Sequence, residues 1–177
     1  MNLAYLVLKY KKDNNMNLDY KNFLSTARKK PISEHFSLFE VCNSETALKC
    51  DIDNRPTAQV VTNAKALCKN VLEKVRTHFN APVVVHCIYR CPALNKKVGG
   101  VMPEPSKNIK GSQHLYGQAA DFHVEGHTIQ EVFDYIKNNI IFDQVIQEGT
   151  WIHVSFRFTP ANRREALIYK NGKYIKV

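Results

Sequence analysis

The densest run of reactive side chains is Ser112-Gln113-His114-Leu115-Tyr116-Gly117-Gln118-Ala119-Ala120-Asp121, and another imidazole follows far downstream in Trp151-Ile152-His153-Val154-Ser155. Two imidazoles and one carboxylate form a donor set for a divalent cation, zinc above all. Three protein ligands leave a fourth coordination position open, the arrangement of hydrolytic rather than structural zinc. A cation held this way polarises a carbonyl and makes water nucleophilic near neutral pH. The spacing alone is weak, since unrelated surface and core histidines also occur at such distances.

These residues act together only if the surrounding elements make them converge. Successive side chains of a strand point to opposite faces. A strand over Ala119–Val124 puts Asp121 and His123 on one face, and a strand over Trp151–Phe158 does the same for Trp151, His153 and Ser155. If the two strands are neighbours, Asp121 meets His153, and His114 completes the set across a turn at Gly117. Residues 57–79 carry an apolar stripe at helical spacing, from Val60 and Ala64 to Val75 and Phe79. Val83–Tyr89 is β-branched and reads as a buried strand, with Arg90 at its end on the face of Val84, His86 and Ile88. Pro92 opens a short helix that Gly99-Gly100 ends, and a long loop with Pro103, Pro105, Lys107 and Lys110 follows. Thr128-Ile129-Gln130-Glu131 is a capping box for a helix to about Asn138. Phe142–Glu148 reads as a strand, and Asn171-Gly172 joins two further runs into a hairpin. Strands and helices mix without regular alternation, so the class is α+β. Residues 1–33 are polar and basic and read as an N-terminal arm with a short helix around 18–29; the compact domain spans 34–177.

A length of 177 residues suits one domain with its own core. No apolar stretch approaches the ~20 residues that span a membrane. The net charge of +9 favours anionic partners, although the basic residues are scattered apart from short runs such as Lys9–Lys12, Arg28–Lys30 and Arg163-Arg164. The five cysteines include no CxxC pair and read as free thiols. Cys87 and Cys91 flank Arg90, but their spacing of four fits no standard zinc knuckle, so they are set aside as ligands. The opening MNLAYLVLKYKK has no basic segment before its apolar run, so no signal peptide is expected, and Met16 is an alternative start to Met1.

In order along the chain, Tyr89-Arg90-Cys91-Pro92-Ala93-Leu94-Asn95, Val98-Gly99-Gly100, the Ser112–Asp121 run and Trp151–Ser155 resemble the M15 family of zinc peptidases, the D-alanyl-D-alanine carboxypeptidase type. The likeness is greatest to the branch common in bacteriophages and bacteria and runs from about His35-Phe36-Ser37-Leu38 to Asn162-Arg163-Arg164-Glu165. It implies one Zn2+ held by His114, Asp121 and His153, hydrolysis of peptide bonds in peptidoglycan stem peptides, and a small antiparallel sheet with packed helices, hedgehog/DD-peptidase-like. It also implies a general base shortly before the last ligand, for which Glu148 is the match. Many relatives carry an acid three positions before that histidine, where this chain has Thr150; Glu148 therefore stands beside the reading of a solvated strand-end carboxylate, with Asp143 and Glu125 as weaker candidates. The matching arginine in relatives faces substrate, so Arg90 is a carboxylate or oxyanion partner or else a structural ion pair. Ser112 is expected near substrate or in support of the site, Trp151 as a pocket wall or a core residue, and Gln113 as structural. His123 could support Asp121 or lie on the surface, and no function attaches to His86.

The expectation is a zinc metallopeptidase of the D,D-carboxypeptidase or L,D-endopeptidase type, acting as an endolysin-type phage lysis enzyme or a virion component. Its partners would be the peptidoglycan peptide and the anionic envelope, with no nucleic acid, no membrane span and a monomeric state. It would be made in the bacterial host cytoplasm without a signal peptide and act on the cell wall or periplasm, or from the virion. The alternative is a non-catalytic structural or wall-binding module that retains the peptidase fold.

Overall fold

The structure, a computed structural model, describes residues 18–158 and 161–177. The first half of the expected arm, with Lys9–Lys12 and Met16, lies outside those residues. Helix α1 covers residues 18–27 and contributes Tyr20, Leu24 and Ala27 to the core. Two short helices follow, α2 (Leu38–Cys42) and α3 (Glu45–Lys49). Ser37 and Glu40 form a capping box at α2, satisfying backbone N–H groups that the first turn leaves without partners. Helix α4 (Ala58–Leu67) runs through a π-helical turn at Cys68–Leu72 into α5 (Glu73–Phe79). Its stripe of Val60, Ala64, Leu67, Val71, Leu72 and Val75 is buried, as the apolar spacing predicts. Helix α6 (Pro92–Lys97) has proline in its first turn, and the capping box of Thr128 and Glu131 opens α7 (Ile129–Asn139).

The strands are β1 (Val83–Cys87), β2 (Ala119–Val124), β3 (Gln144–Glu148), β4 (Trp151–Ser155), β5 (Glu165–Lys170) and β6 (Lys173–Lys176). They form one sheet in the order β1-β2-β4-β3-β5-β6. The α+β class therefore holds, with one refinement. The pair β3–β5 is parallel, Gln144 opposite Glu165, while the other pairs are antiparallel. The hairpin β3–β4 returns the chain to the end where β3 began, so a strand laid beside β3 from there must run with it.

Period-2 alternation sorts the sheet into two faces. Ala120, Phe122 and Val124 of β2, with Ile152 and Val154 of β4, are buried in the core with helices α4 and α7. Asp121, His123, Trp151 and His153 occupy the alternate positions and project from the other face. No helix among the described residues is long and apolar enough to cross a membrane.

Strand β1 is shorter than the run Val83–Tyr89 suggested. Its register against β2 shifts between Val85 and Cys87, and regular pairing stops there. Alternation consequently fails beyond the bulge: His86 is exposed while Ile88 is buried. The expected shared face of Arg90, His86 and Ile88 does not exist, and Arg90 is placed by the segment after the strand.

Candidate metal centre

Strand pairing puts Asp121 directly opposite His153. Their side chains meet on the open face, Asp121 Oδ1 lying 2.8 Å from His153 Nδ1. His114 arrives from a 3-10 turn, Gln113–Tyr116, capped by the Ser112 side chain. Gly117 closes that turn at φ +65°, and a Cβ there would lie 2.8 Å from the Val60 carbonyl oxygen, so both dihedral and space call for glycine. The turn delivers His114 Nε2 to 3.3 Å from Asp121 Oδ2, and the two imidazole centroids are 5.1 Å apart.

The His114 ring is oriented from behind. Its Nδ1 is 2.9 Å from the Ile88 carbonyl oxygen, which can only accept, so Nδ1 carries the proton. Burial holds His114 below its ordinary pKa against the opposing pull of Asp121, so the ring is neutral and Nε2 is a bare lone pair. That buried nitrogen has no hydrogen-bond partner among the described residues, because the approach to Asp121 is close but not aligned as a hydrogen bond. Asp121 meets His153 Nδ1 through its other oxygen, and despite burial its carboxyl is held far below the usual carboxylate range. A neutral imidazole lone pair thus faces an ionised carboxylate, two acceptors with no proton between them. A cation relieves that conflict, and the nitrogen and oxygen donors suit zinc.

Cys87 is also near. Cys87, His114 and Asp121 offer ligand atoms that all lie within 4.8 Å of one another, and these residues could hold a metal ion. Reading the thiol only by its distance from Cys91 missed this. The signal that finds it is strand pairing, which sets Cys87 opposite Asp121. Its sulfur lies 3.6 Å from His114 Nδ1, the edge turned away from the free lone pair. Burial and then the Asp121 charge push this thiol up to about 12, so it is not a thiolate near neutrality.

Arg90 donates its backbone N–H to the His114 carbonyl, at 3.1 Å, and its Nη2 lies 3.8 Å from Asp121 Oδ2. Its buried Nε has no hydrogen-bond partner among the described residues. Glu148 ends β3 opposite Trp151, on the face that carries His153. Trp151 Nε1 donates to Glu148 Oε2 at 2.9 Å, and the Tyr174 hydroxyl donates to Oε1 at 3.3 Å. Diagonal cross-strand neighbours such as Glu148 and His153 are about 7 Å apart at Cα, leaving room for a substrate bond between them. Tyr174, outside every motif considered above, reaches the site because the Asn171-Gly172 hairpin folds β6 back along β5.

Of the weaker base candidates, Asp143 is fully buried and bound by Arg157 at 2.6 Å, Arg163 at 2.8 Å and Gln113 at 3.2 Å. Its oxygens are committed to structure, as is the Gln113 amide. Glu125 is exposed past the far end of β2. An open groove of about 550 Å³ lies over the sheet face, lined by His86, Asp121, His123, Thr150 and Trp151.

A mixed sheet thus presents a desolvated imidazole, an ionised carboxylate and a second imidazole beside an open groove, donor types that suit a hydrolytic metal centre. The model of one known family, described as Peptidase M15, matches residues 34–155, and the chain belongs to that family, whose members are zinc-dependent metallopeptidases acting on peptides. No curated protein matches the chain.

Proposed function

We propose that this protein is a zinc peptidase that cleaves peptide bonds in peptidoglycan stem peptides, as a D,D-carboxypeptidase or L,D-endopeptidase, in phage lysis or from the virion. The observation that carries this reading is the buried, unpartnered Nε2 of His114 facing the ionised Asp121, with His153 Nδ1 on the other carboxylate oxygen. The resemblance of the Ser112–Asp121 and Trp151–Ser155 runs to the wall-degrading branch supports the substrate class.

His114 through Nε2, Asp121 through its carboxylate and His153 through Nδ1 are the proposed zinc ligands. Cys87 stays outside this set, since its sulfur lies along the Nδ1 edge of the His114 ring, away from the Nε2 lone pair. A zinc ion in this cradle supplies positive charge to the scissile carbonyl and makes water a better nucleophile near neutral pH. Glu148 accepts a proton from the attacking water and passes it to the leaving amine. Trp151 and Tyr174 hold that carboxylate by one oxygen each, fixing its direction. Arg90, whose Nη2 lies 3.8 Å from Asp121 Oδ2, stabilises a substrate carboxylate or the developing oxyanion. Ser112 shapes the His114 turn and borders the substrate, and Trp151 walls the groove.

Mass spectrometry of purified cell wall after digestion tests the reading and identifies the bond. Free D-alanine or peptide fragments should appear, vanish when the metal is stripped and return with Zn2+. A folded, zinc-loaded protein that releases neither and still sediments with the wall would instead support the non-catalytic wall-binding module.

A further inference from the structure

His86 and His123 lie on adjacent strands and belong to no part of the proposed mechanism. Their ring nitrogens, Nε2 and Nδ1, are 2.9 Å apart, a hydrogen bond between the two imidazoles at the groove that both residues line, and a metal ion there would displace the shared proton. The placement has a backbone cause. Val84 pairs with His123, so alternation puts His86, two residues further along β1, on the same face, where it is exposed over the groove. On the neighbouring strand, His123 is two residues beyond Asp121 on the same face, about 7 Å along the strand.

We propose that His86 and His123 form a second, two-imidazole site for a divalent transition-metal ion in the groove, separate from the centre at His114, Asp121 and His153. Two imidazoles on one tetrahedral zinc have nitrogens about 3.3 Å apart, from bonds of about 2.05 Å. The observed pair is within a few tenths of an ångström of that, and exposed His86 has room to yield. Imidazole donors select Zn2+, Ni2+ or Cu2+ over Mg2+ or Ca2+. The remaining positions face the groove and are filled by water or by a carboxylate of the substrate.

Metal analysis of the full chain after dialysis against Zn2+, with Co2+ spectra in parallel, decides the matter. The wild type should bind two equivalents. His86→Asn and His123→Asn should each lose one and keep the other, whereas His114→Ala should lose the other and keep the groove equivalent. A second Co2+ equivalent with a thiolate charge-transfer band would assign it to a cysteine such as the exposed Cys50 and overturn the proposal. So would a wild type that binds one equivalent, lost in His114→Ala, or two equivalents that persist in the His86→Asn/His123→Asn double variant. Failure of the main centre looks different: His114→Ala would then leave the zinc content unchanged.

Discussion

Replacing His114, Asp121 or His153 by alanine should remove one zinc equivalent and all turnover, whereas Cys87→Ser should retain the metal. Elemental analysis of the four purified variants separates these outcomes, and zinc loss in Cys87→Ser would move the sulfur into the ligand set. Glu148→Gln keeps size and one hydrogen-bonding oxygen but cannot accept a proton. It should fold and bind zinc yet lose roughly 10²- to 10⁴-fold in kcat, and near-normal kcat would assign the base elsewhere. Arg90→Lys replaces a planar fork by a point charge and should lower kcat/KM with zinc retained; an unchanged ratio would make Arg90 structural. The convergence of Asp121 and His153 was readable from period-2 alternation, because both strands are regular where these residues lie. Cys87 and Tyr174 were not, since each depends on strand pairing between segments remote in sequence.

Among the elements, the two ends of β3 make different demands. Glu148 closes it over the open face, while Asp143 just before it is clamped by Arg157 and Arg163 from the connection to β5. Burial opposes the charge on Asp143, but the hydrogen bonds and charge of Arg163, joined by Arg157, outweigh it and hold its pKa below the ordinary 3.8. The stabilisation is therefore present in full above the unfolded-state value and is lost as pH falls through the lower folded-state value. Asp143→Asn should cost about 3–5 kcal/mol at neutral pH, the range for breaking a buried pair. The gap between the urea midpoints of the two proteins should narrow as pH falls below 3.8 towards the lower folded-state value; a constant gap would refute the ion-pair account. Helix α7 and the β5–β6 hairpin were readable in advance because Thr128, Glu131 and Asn171-Gly172 act within a few residues of themselves. The bulge in β1 and the parallel pairing of β5 were not, since both arise from how separate segments register.

For the whole molecule, under the proposed function, the net charge of +9 would act in adhesion to an anionic wall rather than in bond cleavage. Raising salt from about 0.1 to about 1 M shortens the screening length from about 10 to about 3 Å. Co-sedimentation of the Glu148→Gln protein with purified wall should weaken over that range, and salt-independent retention would rule out the electrostatic account. The β5–β6 hairpin adds a practical consequence. Tyr174, three residues before Val177, touches Glu148 across the sheet. A purification handle or fluorescent fusion attached after Val177 would start beside that contact, where its bulk could blunt turnover and be mistaken for an inactive enzyme.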